Sequence, residues 1–142
     1  MALAELFRIR VVERTPERVE LMMPITPDLF QPYGLLHGGV TIALLETAAS
    51  YGAEERTDFS REQPFGLETA IRHHKPGRAG SLRGVAEFER EESASFGGRK
   101  QFWRVVATDD DGDIISEGVF VTKIVTLEHL ANKERARVRQ RT

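Results

Sequence analysis

One carboxylate stands alone in a long apolar stretch of the sequence. Between Val40 and Ala53 the only charged side chain is Glu46. Removing a carboxylate from water is costly unless something uses or satisfies it, so Glu46 is a candidate general base or nucleophile. A buried structural ion pair is the alternative. Ser50 follows on the same face of a predicted helix, where it can orient the carboxylate or a water molecule, or simply pack as a small residue.

A pair of glycines opens the same stretch. Gly38 and Gly39 lack side chains, so a ligand can approach their backbone closely. At a helix start, unpaired N–H groups and the helix dipole favour an oxyanion; close packing is the alternative. Glu46 lies eight residues beyond Gly38, about 12 Å along a continuous helix. One glutamate side chain does not span that distance, so the two groups would meet only between two subunits.

The elements that position these residues follow from the pattern. A helix is predicted from residue 38 to about residue 54, and because it is apolar on nearly every side we expect it to be buried. Strands separated by turn formers are predicted at 7–12, 18–23, 65–74, 81–89, 100–109 and 114–125. One long helix among antiparallel strands predicts an α+β fold with the sheet curled around the helix. One sheet cannot cover every side, so we expect a second subunit.

Composition narrows the function classes. The 142 residues, 40% apolar and 30% charged, suit one globular domain with a hydrophobic core. A net charge of -2 gives no reason to expect a nucleic-acid partner, and the absence of cysteine excludes disulfides, thiolate metal sites and cysteine nucleophiles. No signal-peptide core is present, and no apolar run approaches the roughly 20 residues of a membrane span. We therefore expect a cytoplasmic protein.

Two motifs suggest metal ligands but lack the right spacing. His73 and His74 are adjacent on a predicted strand, so their side chains point to opposite faces and cannot easily share one ion. The segment DDDGD is similar to a calcium loop. However, placing Gly112 at the loop glycine puts Ala107 and Gly118 where acidic ligands are needed. We predict a hairpin turn there and no metal site.

The stretch QPYGLLHGGVTIALLETAAS, followed by four predicted strands, resembles the hotdog-fold acyl-CoA thioesterases over residues 19–125. The resemblance depends on polar residues and glycines at fixed spacings: Gln31, His37, Gly38, Gly39, Glu46 and Ser50. The most similar branch is that of the glutamate-type 4-hydroxybenzoyl-CoA and 1,4-dihydroxy-2-naphthoyl-CoA thioesterases. Related phenylacetate-pathway thioesterases usually carry Asn and Asp in place of Gln31 and Glu46. The resemblance implies one long central helix wrapped by a curved antiparallel sheet of five to six strands.

For the site, the resemblance implies thioester hydrolysis between two subunits. Gln31 and Gly38 would come from one subunit, with Gln31 positioning water or binding the thioester; an ordinary loop residue is the alternative for Gln31. Glu46 and Ser50 would come from the other subunit. His37 would steady the glycine loop or contact the thioester, with a structural capping role as the alternative. No cofactor is implied, since coenzyme A is part of the substrate, and a homodimer assembled further into a homotetramer is expected.

Coenzyme A carries a diphosphate and a ribose phosphate, so basic residues are expected around the mouth of the site. Six candidates follow the predicted turns or lie on the last strand: His74, Lys75, Arg78, Arg99, Lys100 and Lys123. A solvated surface charge is the alternative for each. We expect residues 1–127 to form the hotdog domain and the basic tail 128–142 to be frayed. Its basic residues alternate from 133 to 141, which suits neither one helix face nor a core strand.

These observations predict an acyl-CoA thioesterase that acts on an aromatic acyl group. Bulky Leu44, Leu45 and Tyr51 leave little room for a long alkyl tunnel, whereas an aromatic ring fits a short pocket. A broad medium-chain acyl-CoA thioesterase is the alternative among enzymes. A non-catalytic acyl-CoA binding or sensor protein is the alternative outside them. Hotdog dehydratases are a third alternative. They pair a catalytic histidine with an acid, and Gln31 would have no role in such an enzyme.

Overall fold

The computed structural model describes residues 1–94 and 97–142. The helices are α1 (Leu3–Leu6), α2 (Gly38–Glu55) and α3 (Leu127–Arg141), and a 3₁₀ turn covers Pro27–Leu29. The strands are β1 (Arg10–Arg14), β2 (Arg18–Pro24), β3 (Glu62–His73), β4 (Ser81–Ala94), β5 (Gly98–Thr108) and β6 (Ile114–Thr126). No helix among the described residues combines the length and the apolar character that a membrane span needs.

The strands form one antiparallel sheet in the order β1-β2-β4-β5-β6-β3. This confirms the predicted α+β architecture of one long helix against an antiparallel sheet. The DDDGD segment forms the predicted hairpin turn, in which the Asp109 N–H donates to the Asp113 carbonyl at 3.0 Å and Gly112 has a φ of 81°. The turn predicted at SFGG includes Ser95 and Phe96, which lie outside the described residues.

The core forms where α2 lies against the sheet. One face of the helix is buried: Val40, Thr41, Leu44, Leu45, Ala48, Ala49, Gly52 and Ala53. The approach is close at Gly52, where a Cβ would come within 2.4 Å of the Trp103 ring. Trp103 is itself held by a 2.9 Å hydrogen bond from its indole N–H to the Thr122 hydroxyl. A glycine is therefore needed where the helix crosses β5.

The opposite face of α2 is not buried in the single chain. Ile42, Ala43 and Ser50 are half-buried, and Glu46 is exposed. The predictions of a helix buried on every side and of a desolvated Glu46 are therefore wrong for one chain, because its sheet covers only one side of α2.

The C-terminal segment also differs from its prediction. Residues expected to be frayed form helix α3, none of whose residues is buried. The Thr126 hydroxyl caps the helix by accepting a hydrogen bond from the His129 N–H at 3.1 Å, and the Glu, Ala, Lys and Arg of this segment favour helix. The prediction failed because it required the basic residues to lie on one face of a helix, whereas a fully exposed helix does not need separate polar and apolar faces.

Candidate functional site

The start of α2 carries a backbone donor with no partner in the described chain. His37 caps the helix, its Nδ1 accepting a hydrogen bond from the Gly39 N–H at 2.8 Å. The Val40 N–H donates to the His37 carbonyl at 3.0 Å. The Gly38 N–H has neither kind of partner among the described residues, so it is the donor that a ligand oxygen can use. His37 thus takes the capping role, and it occupies the N–H of Gly39.

A histidine from β3 lies against Gly38. A Cβ on Gly38 would come within 2.9 Å of His73 Nε2, so only glycine fits beside this ring. His73 Nδ1 lies 2.6 Å from the Oγ of buried Ser116. The neighbouring His74 instead approaches Glu117, with its Nε2 2.9 Å from a carboxylate oxygen. The two histidines thus have different partners. Sequence reasoning considered His73 only as a metal ligand. Its position near the end of the predicted strand 65–74 was the one feature that could have indicated a place at the site.

One cavity brings several predicted residues together. A cavity of about 390 Å³ is lined by polar side chains and backbone groups from three stretches of the chain: Gln31, Gly38, Thr41, His73, His74 and Lys75. The loop at Gln31 is held by its own backbone, since the Gln31 N–H donates to the Leu35 carbonyl at 2.7 Å and the Gly34 N–H donates to the Gln31 carbonyl at 3.0 Å. Gly34 has a φ of 83°, a left-handed conformation suited to glycine.

Ser50 lines a second cavity, and Glu46 lies against one of its wall residues, Gly66. A Cβ on Gly66 of β3 would come within 2.9 Å of Glu46 Oε1, so the carboxylate rests on the strand backbone where glycine leaves space. Beside it, a cavity of about 170 Å³ is lined by Ser50, Gly66 and Thr122, among others. Sequence reasoning missed Gly66, because no local pattern indicates which strand glycine meets the helix.

The two groups remain apart within one chain. Gly38 meets His73 and Glu46 meets Gly66, contacts that are seven residues apart along β3. Seven residues of strand span roughly 20 Å. The single chain therefore brings Gln31 together with Gly38, and Glu46 together with Ser50, but it does not unite the two pairs.

Lys75, a predicted coenzyme A ligand, is already paired. Its ammonium lies 2.7 Å from Asp109 and 2.6 Å from Asp113. The hydrogen bond to Asp109 is the main cause that raises the pKa of Lys75, and the same bond lowers the pKa of Asp109. The carboxylates of Asp109, Asp111 and Asp113 cluster in the DDDGD turn, and the Lys75 ammonium offsets part of their charge.

Arg99, another predicted coenzyme A ligand, also has partners. Its guanidinium is hydrogen-bonded to Glu62, lies 3.2 Å from Glu91 and donates to the Arg56 carbonyl at 2.8 Å. The bond to Glu62 is the main cause that raises the pKa of Arg99. By contrast, Arg78 is exposed and has no ion pair within the described residues. Lys100 is half-buried, and the Lys123 ammonium lies 5.7 Å from the Phe65 ring centroid.

The sequence model of the thioesterase superfamily matches residues 33–116, more than half of the chain. The chain belongs to the thioesterase superfamily. This thioesterase is 33% identical to the 1,4-dihydroxy-2-naphthoyl-CoA hydrolase of Listeria monocytogenes over 110 residues, which cover 78% of this chain and 85% of that protein. It is 34% identical to the proofreading thioesterase EntH of Cronobacter sakazakii over 94 residues, covering 66% of this chain and 64% of that protein.

Solved structures agree with this membership. A thioesterase enzyme from Staphylococcus aureus superimposes on this thioesterase with a TM-score of 0.79 and 28% identity, covering 87% of this chain and 98% of the other. The family and the hotdog fold that the sequence resembled are thereby confirmed. The protein is a hydrolase of the thioesterase family.

Proposed function

We propose that this thioesterase hydrolyses an acyl-CoA with an aromatic acyl group, at a site shared between two protomers. One observation carries the proposal: Gln31 and Gly38 line one cavity, while Ser50 lines another, and Glu46 lies against Gly66 in the wall of that second cavity. Each of the two places along β3 therefore has half of the groups that the proposed acyl transfer requires. The Listeria relative is named as a hydrolase of an aromatic acyl-CoA, which supports the choice of acyl group.

In this mechanism the thioester oxygen accepts a hydrogen bond from the Gly38 N–H, which has no partner among the described residues. A donor at a helix N-terminus stabilises the negative charge that grows on this oxygen as the carbon becomes tetrahedral. Gln31 positions the thioester or the water. His73, packed behind Gly38, keeps the site free of a side chain at that position.

Glu46 of the other protomer supplies the attacking group by one of two routes. As a general base it takes a proton from water, and the hydroxide adds to the carbonyl carbon before the coenzyme A thiolate leaves. As a nucleophile it adds to that carbon itself and expels the thiolate, and water then hydrolyses the mixed anhydride. In both routes the Ser50 hydroxyl orients the carboxylate or the water.

The assembly follows from the open side of the sheet. Within the described chain β3 pairs with β6 and with no other strand, and the half-exposed face of α2 lies beside it. A second protomer placed across β3 and α2 would bring its Glu46 towards Gly38, and the reverse contact would form by two-fold symmetry. We propose this homodimer as the catalytic unit, with the homotetramer as a pair of such dimers.

For the coenzyme A phosphates we propose Arg78 first. It is exposed and adjoins Gly77, which lines the larger cavity. Lys100 and Lys123 are further candidates. Lys75, Arg99 and His74 already interact with carboxylates, so these side chains are less available to a phosphate.

The size of the second cavity supports an aromatic acyl group. Its volume of about 170 Å³ is similar to that of an engineered apolar cavity of about 150 Å³ that binds benzene. Phe65 provides an aromatic wall. A palmitoyl chain is larger than this volume.

The test is a panel of benzoyl-, phenylacetyl-, octanoyl- and palmitoyl-CoA below micelle-forming concentrations, followed by release of free thiol. We expect kcat/KM for the aryl thioesters to exceed that for palmitoyl-CoA at least about tenfold, because a short pocket excludes the long chain. Preference for octanoyl-CoA would indicate the medium-chain alternative. A tenfold preference for palmitoyl-CoA would contradict the aromatic assignment, and binding without hydrolysis would indicate a sensor.

A further inference from the structure

Glu54 lines the smaller cavity, two helical turns beyond Glu46. Residues 46, 50 and 54 are four apart and lie along one side of α2, so Glu46 and Glu54 are about 12 Å apart along the helix axis. The cavity of about 170 Å³ is lined by Ser50 and Glu54 from the helix and by Phe65, Gly66 and Thr122 from the sheet. It therefore extends from Gly66, where Glu46 rests, to Glu54.

The Glu54 carboxylate is held in place through only one of its two oxygens. Its Oε2 accepts a hydrogen bond from Arg14 at 2.6 Å, whereas its Oε1 has no hydrogen-bond partner within the described chain. Arg14 is fixed in turn by a 2.7 Å bond to Glu55 and by its position 4.3 Å from the centroid of the Tyr51 ring. This arrangement leaves one carboxylate oxygen of Glu54 available to a ligand.

Thr122, the other polar side chain that lines the cavity, already has hydrogen-bond partners. The Thr122 hydroxyl donates to the side-chain oxygen of Gln101 at 3.0 Å and accepts from the Trp103 indole at 2.9 Å. Thr122 therefore has no proton left to donate to a ligand. Glu54 and the Ser50 hydroxyl are the groups that can interact with a substituent on the acyl group.

The charge at this end of the cavity is negative. Arg14 is shared by the carboxylates of Glu54 and Glu55, so one positive charge faces two negative ones. A carboxylate only accepts hydrogen bonds. It favours a hydroxyl or amino substituent and repels a second carboxylate.

From this geometry we infer that Glu54, held by Arg14, determines the acyl specificity of this enzyme. It selects aromatic acyl groups that carry a hydrogen-bond donor on the ring over groups with an isosteric methyl or with a carboxylate. The inference rests on the proposed function, because Glu46 and Glu54 then act on the same acyl group, one at its carbonyl carbon and the other at its far end.

The test compares CoA thioesters of benzoates that carry a hydroxyl, amino, methyl or carboxyl group at ring position 3 or 4. For the wild-type enzyme we expect kcat/KM for the better hydroxyl or amino isomer to exceed that of its methyl counterpart about tenfold, the scale of a hydrogen bond to a charged acceptor. In Glu54→Ala this ratio should fall to about threefold or less. In Glu54→Gln the ratio of kcat/KM for a carboxyl thioester to kcat/KM for its methyl counterpart should rise about tenfold above the wild-type ratio. Because each result is a ratio within one variant, it does not depend on the folded fraction.

Glu55→Gln is the matched control, since Glu55 binds the same guanidinium but does not line the cavity. We expect its substrate ratios to equal those of the wild type. An unchanged ratio in Glu54→Ala, or an equal loss in Glu55→Gln, would overturn the role of Glu54. If the wild-type enzyme hydrolyses all the thioesters at similar rates, only this inference fails. If it hydrolyses none of them, the proposed function fails.

Discussion

Each residue of the candidate site is defined by what already occupies its polar atoms. The His37 ring accepts the hydrogen bond of the Gly39 N–H and leaves the Gly38 N–H without a partner among the described residues, so Gly38 is the better candidate for an oxyanion donor. Glu46 rests on Gly66 and has no ion pair within the described chain. A structural ion pair, the alternative for this carboxylate, has no partner there, which favours a chemical role.

Glu46→Gln tests that role at the residue scale. The amide keeps the shape of the side chain but neither takes a proton nor attacks a carbonyl, so we expect kcat to fall by at least about 10²-fold. Because Glu46 is exposed in the chain, the substitution should change the free energy of unfolding of the protein little. Thiol release and circular dichroism measure the two effects, with exposed Glu89→Gln as the control. An unchanged kcat in folded Glu46→Gln would contradict the mechanism.

At the scale of elements, one cluster of hydrogen-bonded charged residues connects β5, the start of β3 and the end of α2. Arg99 of β5 binds Glu62 at the start of β3 and the carbonyl of Arg56 just after α2. The two charged side chains are 29% and 15% exposed, so solvent screens this pair less than a surface pair. The cluster fixes the beginning of the strand that carries Gly66 and His73.

Glu62→Gln should therefore cost stability in a pH-dependent way. The hydrogen bond from Arg99 holds the pKa of Glu62 below its ordinary value of 4.5. The stabilisation is fully present above that value and is lost as the pH falls through the lower pKa of the folded state. At pH 7 we expect a loss of about 1–2 kcal/mol, shrinking steadily below pH 4.5.

Urea unfolding at pH 7 and at successively lower pH measures this loss. Glu92→Gln is the control, because the Arg90–Glu92 pair is half exposed and should contribute less than about 1 kcal/mol. A deficit of the same size at every pH would rule out the ion pair as its cause.

At the scale of the whole molecule, the single chain keeps Gln31 and Gly38 apart from Glu46 and Ser50, the other residues of the candidate site. Two protomers related by a two-fold axis would form two composite sites, each with Gln31 and Gly38 from one chain and Glu46 from the other. Hybrid dimers distinguish this arrangement from a site within one chain.

Glu46→Gln and Gln31→Ala should each be nearly inactive alone. After random exchange of protomers, half of the dimers are hybrids with one intact site, so we expect about a quarter of the wild-type activity. Mixing under denaturing and refolding conditions, followed by thiol release, measures the recovery. Glu46→Gln mixed with Glu46→Gln/Gln31→Ala is the control and should recover nothing. If sedimentation shows that the protein is a monomer and this monomer is fully active, shared sites are excluded.

Local signals in the sequence determined the central helix and the family. The glycine pair, the apolar run and the charged residues after it predicted a helix from residue 38 to about residue 54, close to the observed Gly38–Glu55. The turn formers separated six strands, although the first, predicted at 7–12, is observed at Arg10–Arg14, and β4, predicted at 81–89, continues to Ala94. Polar residues and glycines at fixed spacings, centred on Glu46, identified the thioesterases. Each of these signals lies within a few residues of the element or motif that it specifies.

Only the tertiary structure decided which residues meet. His73 against Gly38, Gly66 against Glu46 and Glu54 at the end of the cavity are contacts across the fold. They depend on the register of β3 on β6, including the shift after Gly66, and on where α2 crosses the sheet. A shift of one residue in that register would turn each β3 side chain to the other face. Register is set by the packing of the whole sheet on the helix, which no local stretch of sequence contains.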